Sequence, residues 1–253
     1  MKKLVLFFLA TKLLGSCADE VVYKTPDESE IKKTQMFSYD SVTNPNVWKT
    51  FMTFEEMMNA TQIPENILKT IPTDTLVALC MNHPLGGVYM CYNNHLKGAL
   101  SVIERFNGFQ ELMKRKDAGE KLISFYEALD LDYNVAEYKQ NPYSRHLMEV
   151  KPLKLGFSEL VIASKKIEDI YSPQNINRLE NVINKKYEDK LRNIKYNKVS
   201  ALGHSLLISA QVKMTKSGRE KELTDFIDRG GYIRSEKELT EISRIIYSKY
   251  TQL

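Results

Sequence analysis

Cys80, His83, Cys91 and His95 follow the spacing C-x2-H-x7-C-x3-H, and two thiolates with two imidazoles are the ligands a structural zinc takes. The local pattern works against that chemistry. Pro84-Leu85-Gly86-Gly87 must interrupt a helix, which places His83 at a turn. His95 then lies about 12 Å down the next helix, at a rise of about 1.5 Å per residue. Four ligands that each sit about 2 Å from one ion cannot be so spread, so neither a metal nor a cofactor is expected. Cys80 and Cys91 are a separate matter, because they fall at similar depths on opposite arms of that hairpin. In an exported chain a disulfide between them would contribute on the order of 2 to 3 kcal/mol. The competing reading is two small core residues, since packed helix axes lie about 8 to 10 Å apart, which is wide for a bridge.

A serine or cysteine nucleophile needs a base within reach and a third group to orient that base. The chain has four histidines, His83, His95, His146 and His204. His204 and Ser205 adjoin, but neighbours on a helix point about 100° apart, so adjacency carries little. No G-x-S-x-G elbow, H-E-x-x-H helix or Gly-rich phosphate loop is present in the sequence. Glu55, Glu56, Glu111 and Glu120 could pair as glycosidase carboxylates, yet capping and the helix dipole explain acidic first turns. No catalytic residue is assigned. The aromatic residues offer stacking chemistry instead, although Phe106 and Phe109 at helical spacing also read as core. Trp48, Tyr89 and Tyr92, with Asn93 and Asn94 as polar neighbours, are the candidate contacts for a protein or glycan ligand.

The elements that would position these residues are helical. Thr53-Phe54-Glu55-Glu56 is a capping box, Pro64 and Pro72 open further helices, and Leu76, Val77 and Cys80 share one face. A longer helix is expected from Val88 to Phe106, stopped by a left-handed Asn107-Gly108. Asp117 to Glu120 starts another, and the stretch from Leu131 to Lys151 gives no assignable pattern. Leu153 to about Lys166, a helix capped at Ser172-Pro173, and an almost wholly apolar Val199–Val212 follow. Ser217, Gly230-Gly231 and a capping box from Ser235 delimit the last two. The result is about nine helices with short joints, hence an all-α fold. Stacked antiparallel hairpins would make an irregular α-solenoid; the alternative is a compact multi-helix bundle, and the sequence shows no repeat at a fixed period.

Ahead of this body the chain changes character. Met1-Lys2-Lys3, an apolar run from Leu4 to Ala10, and small residues before Cys17 have the order of a secretory signal over 1–16. From 17 to 46 the residues are polar and acidic, with Pro26 and Pro45, the composition of a tether; the helical domain is expected over 47–253. Lys2, Lys3 and Lys12 supply most of the formal net charge of +4, so the processed chain is close to neutral. Its helices alternate signs without a basic stripe, which argues against nucleic acid as a partner.

Leu14-Gly15-Ser16-Cys17 resembles a bacterial lipobox, which implies a lipidated Cys17 and attachment to the membrane through that lipid. Ala18-Asp19-Glu20 is similar to the acidic export signals of Bacteroidetes surface lipoproteins, and Asp40-Ser41-Val42 to that phylum's O-glycosylation site, with Ser41 as acceptor. Further along, Thr53-Phe54-Glu55-Glu56-Met57, Ile63-Pro64-Glu65-Asn66-Ile67-Leu68, Tyr92-Asn93-Asn94 and Phe106-Asn107-Gly108-Phe109-Gln110-Glu111-Leu112 stand out. In these words the chain resembles a family of uncharacterised Bacteroidetes cell-envelope lipoproteins. The resemblance implies location and helicity and brings no activity with it. The expectation is an outer-membrane lipoprotein, surface-exposed, that binds or scaffolds without catalysis; the alternative is an envelope hydrolase acting on polymers.

Overall fold

The structure is a computed structural model that describes residues 37–129, 131, 151–164, 171–193, 199–217 and 221–247. Cys17, the Ala18-Asp19-Glu20 triplet, the signal segment and His146 lie outside the described residues. Among the described residues there are thirteen α-helices, one 3-10 segment and no strand, so the fold is all-α. None of these helices is long and apolar enough to cross a membrane.

The packed body begins earlier than the sequence composition indicates. Helices α1 (Asp40–Thr43) and α2 (Pro45–Trp48) already belong to it, which shortens the tether expected up to residue 46. Tyr39 is buried with its ring edge-on to Phe37 at 5.2 Å, and its hydroxyl donates to the Leu79 carbonyl at 3.2 Å. Two aromatic rings bury enough apolar area to fix a polar stretch that has no helical period of its own. Ser41 is exposed on α1.

Helix α3 (Phe54–Ala60) opens with the expected capping box. The Glu56 amide donates to the Thr53 hydroxyl at 3.2 Å, and the Thr53 amide donates to the Glu56 carboxylate at 3.1 Å. Helices α4 (Glu65–Leu68) and α5 (Thr73–Met81) follow, with Pro64 and Pro72 at their N-caps and Leu76, Val77 and Cys80 all buried. The long helix expected from Val88 to Phe106 is instead broken in two. A 3-10 segment spans Gly86–Cys91, and α6 (His95–Ile103) starts afresh because the Asn94 side chain accepts from the Lys97 amide at 3.0 Å. Asn107-Gly108 does not stop a helix but opens the next, α7 (Asn107–Leu112). A Cβ at Gly108 would lie 2.3 Å from the Phe106 ring, so this glycine serves close packing and not a left-handed turn.

The remaining helices are α8 (Ala118–Ala128), α9 (Lys151–Ile162), α10 (Pro173–Arg192), α11 (Val199–Ser217), α12 (Lys221–Asp228) and α13 (Glu236–Ile246). Ser172 caps α10 by accepting from the Asn175 amide, and Ser235 caps α13 in the same way from Glu238. Asp117 holds the N-cap position of α8, but its carboxylate accepts from the Thr73 hydroxyl at 2.9 Å and caps nothing. Helix α9 packs against α5, α6, α8, α11 and the 3-10 segment. A solenoid hairpin touches only its neighbours, whereas a helix in contact with elements from both halves of the chain is the centre of a bundle. Its burial agrees, since Phe157, Ser158, Glu159, Leu160, Val161 and Ile162 are all buried and leave no polar face. Of the two arrangements left open by the sequence, these contacts are those of the bundle.

Candidate functional site

A cleft of about 960 Å³ opens where three pieces of chain meet. One wall is the joint between the 3-10 segment and α6, carrying Tyr92, Asn93 and Asn94. The floor is the start of α11, with Val199, Ser200 and His204. The far wall is the turn after α12, from Asp228 to Ile233.

That turn depends on Gly230 and Gly231, whose φ angles of 66° and 77° are left-handed. The Gly231 amide donates to Phe226 at 3.1 Å and the Gly230 amide to Ile227 at 2.7 Å, the paired bonds of a Schellman motif that ends α12. Absence of a side chain also lets the turn descend onto its neighbours. A Cβ on Gly230 would stand 2.4 Å from Asn94 Oδ1, and one on Gly203 would stand 2.6 Å from the Gly231 carbonyl. Arg229 then fastens the turn: its guanidinium donates to the Tyr232 carbonyl at 2.6 Å, the Asp225 carbonyl at 3.1 Å and the Glu238 carboxylate at 2.6 Å. The charge of Arg229 is therefore spent on the turn.

At the bottom of the cleft His95 Nδ1 and His204 Nε2 are 2.9 Å apart, joined by one hydrogen bond. The Tyr89 ring sits edge-on to both, at centroid distances of 5.3 Å and 5.7 Å. Gly156 of α9 makes room for this cluster, since a Cβ there would be 2.4 Å from the Tyr89 hydroxyl and 3.2 Å from His204 Nδ1. Burial pushes His204 well below the ordinary histidine range, and the charges of Lys190 and His95 push it further. Burial lowers His95 as well, although that ring is only half-buried. Both imidazoles are neutral at pH 7.

One residue along, Ser205 faces a sealed network. Glu159 accepts from Lys190 Nζ at 2.7 and 2.6 Å, from the Tyr126 hydroxyl at 2.7 Å and from the Ser205 hydroxyl at 2.8 Å. Lys190 also donates to Ser205 Oγ and to the Ala201 carbonyl, each at 2.8 Å. The Lys190 and Glu159 side chains are 1% and 0% exposed, so no substrate reaches them. The roughly 100° between successive helical side chains thus divides His204 from Ser205 into an open site and a closed one.

The residues singled out from the sequence divide similarly. Tyr92, Asn93 and Asn94 line the cleft, with Tyr92 42% exposed. Tyr89 is not a contact surface, because it is buried beneath the floor against Phe157. Trp48 is elsewhere, edge-on to Phe51 at 5.8 Å, and Phe106 and Phe109 are core. Cys80 and Cys91 are both free, one buried and the other exposed, so the disulfide reading gives way. The pairing assumed two antiparallel helical arms, whereas Cys91 ends a 3-10 segment and faces solvent. His83 Nε2 meets the Thr61 hydroxyl at 3.0 Å, while its Nδ1 accepts from the Leu85 amide at 3.2 Å. Burial pushes this imidazole down to about 3, a structural role and not a ligand's. Among the described residues no three His, Cys, Asp or Glu side chains gather as a metal site.

Sequence reasoning set His204 aside and missed Tyr232, the glycine turn's role and the Glu159–Lys190 pair. A signal existed for the last: Lys190 continues the apolar stripe of Leu179, Val182, Ile183 and Tyr187, and Glu159 interrupts the run from Leu155 to Ile162. A charge on a core face calls for a buried partner. Compared with known proteins, the chain matches no family model, and no curated protein or solved structure is found to be similar to it.

Proposed function

We propose that this protein is a lipid-anchored, non-catalytic binding protein of the bacterial outer membrane, and that the cleft between α6, α11 and the α12 turn holds its ligand, a neutral glycan. The observation that carries the ligand reading is a pair of exposed tyrosines, Tyr92 at 42% and Tyr232 at 57%, on separate walls of one cleft. Such rings stack on the apolar faces of sugars, while Asn93, Ser200 and Asp228 offer donors and acceptors for hydroxyls. Charge disfavours an anionic ligand: Arg229 is paired with Glu238, and both imidazoles are neutral. The anchor rests on the signal-like residues 1–16 and Cys17, and the family resemblance belongs to the same reading.

Affinity electrophoresis of the full chain in gels containing neutral polysaccharides tests the ligand. Retardation by at least one polymer is expected, and Tyr92→Ala with Tyr232→Ala should abolish it. Retention unchanged in the double variant would remove the cleft from the reading. Cys17→Ala should release the protein from membranes, and continued retention would refute lipidation. One observation favours a hydrolase, the paired imidazoles at the bottom of the cleft. Release of reducing sugar by the wild type but not by His95→Gln would replace binding with hydrolysis.

A further inference from the structure

His95 opens α6 in one wall and His204 belongs to α11 in the floor, so their 2.9 Å hydrogen bond spans the cleft's corner. Two neutral imidazoles hold two ring protons, one of which occupies the bridge. A third proton fits: an imidazolium at His95 donates through Nδ1 to the lone pair of a neutral His204. A fourth does not, because two N–H groups would then face each other across 2.9 Å.

The surroundings set the order of uptake. His95 is half-buried and borders the cleft, whereas His204 is buried with the Lys190 ammonium of α10 behind it. Glu159 of α9 neutralises that ammonium, and the buried Tyr89 phenol of the 3-10 segment stays protonated. Asp228 and Arg229 face the cleft from the α12 turn, with Arg229 paired to Glu238 of α13. The first proton therefore goes to His95 and keeps the bridge, and the second goes to His204 and breaks it.

We propose that the pair is a proton-operated latch: it joins wall to floor at neutral pH, and it parts when both imidazoles are charged, freeing the wall that carries Tyr92, Asn93 and Asn94. Its consequence for ligand, release on acidification, rests on the cleft being the binding site.

Nitrogen-labelled histidine and carbon-labelled tyrosine in the full chain let both ring types be followed by NMR from about pH 8 to about pH 4.5, a span that brackets the ordinary histidine value. Circular dichroism monitors helix content at each step. His95 should titrate first and His204 second, both below about pH 6.5, and the Tyr92 ring signals should move with the second step. His95→Gln keeps a polar side chain but cannot charge, and should leave the Tyr92 signals still. Tyr92 rings that stay still in the wild type, that move equally in His95→Gln, or histidines that stay neutral until the helices melt would each overturn the latch. A separate arm measures retardation by the same neutral polysaccharides near pH 7.5 and near pH 5, with affinity expected to fall by up to about tenfold per pH unit for each proton taken up. If no polymer is bound at either pH, the ligand reading fails while the ring titration still decides the latch.

Discussion

His204 and Ser205 are consecutive residues of α11 and enter two opposite kinds of polar site. Around Ser205, a carboxylate, an ammonium and two hydroxyls satisfy one another in a fully buried cluster. Around His204, one imidazole meets another and the cluster ends at a cleft. In the first site each group already has its partners, so it can specify packing but cannot take a ligand. In the second, His95 has a ring nitrogen beyond the one bonded to His204, and the walls carry exposed rings. What separates the sealed polar cluster from the open one here is unused capacity, more than residue type.

The largest expected effect comes from breaking the sealed site. Lys190→Met leaves the Glu159 carboxylate buried without its cation, and removing one partner of a buried pair costs about 3 to 5 kcal/mol. Urea denaturation should show that loss as a lower midpoint with an unchanged slope. Lys190→Met combined with Glu159→Met removes both charges and should be more stable than Lys190→Met alone. A Lys190→Met protein as stable as the wild type would mean that the buried pair contributes nothing net to stability. At the open site, by contrast, His95→Gln deletes one neutral hydrogen bond and should cost only about 0.5 to 1.5 kcal/mol.

Acid sharpens the same contrast with a smaller effect. An imidazole held neutral in the fold binds no proton below its ordinary value of about 6.5, while the unfolded chain does. Stability is therefore complete above about pH 6.5 and falls as pH drops below it, by up to about 1.4 kcal/mol per pH unit for each such group. For His83 the fall continues down to about 3, since burial in the core disfavours its charged form. His95 and His204 act in the same direction. Urea midpoints between about pH 7.5 and about pH 5 isolate the histidines from the carboxylates, which titrate lower. His83→Gln should flatten the slope, and a flat wild-type profile would mean that His83 charges in the folded state at its ordinary value.

Helices with local signals were legible in the sequence. Thr53 with Glu56, Ser172 with Pro173, and Gly230-Gly231 act through bonds within a few residues, and each marks an element boundary in the structure. The stripe from Leu179 to Tyr187 and the apolar run from Val199 to Val212 are likewise local periodicities; the stripe's apolar residues are buried, and the run is buried from Leu202 onward. The errors fall where a local signal had two outcomes. Asn94 and Asn107-Gly108 lie in one apolar periodic stretch that reads as one helix with a stop, whereas both open helices, Asn94 by capping α6 and Asn107 as the first residue of α7. The site was legible in one wall only, because Tyr92 to Asn94 are contiguous whereas His95 and His204 are 109 residues apart. No spacing rule reaches across that separation, and nothing local distinguishes the buried Tyr89 from the exposed Tyr92.

That last pair leads to the smallest expected effect. Tyr89 fills space between Phe157 and the two imidazoles, and truncating a buried aromatic costs about 3 to 5 kcal/mol through the cavity it leaves. Tyr92 and Tyr232 are 42% and 57% exposed, so Tyr92→Ala or Tyr232→Ala removes less area that folding had buried than truncating Tyr89 does. Their stability should stay within about 0.5 kcal/mol of the wild type by urea denaturation. If either variant loses more than about 1 kcal/mol, its ring is packed in solution and the cleft is narrower than its walls indicate. If both hold their stability while retardation by polysaccharide disappears, the exposed rings serve ligand and not fold, which is the distinction drawn between His204 and Ser205 carried to the cleft's rim.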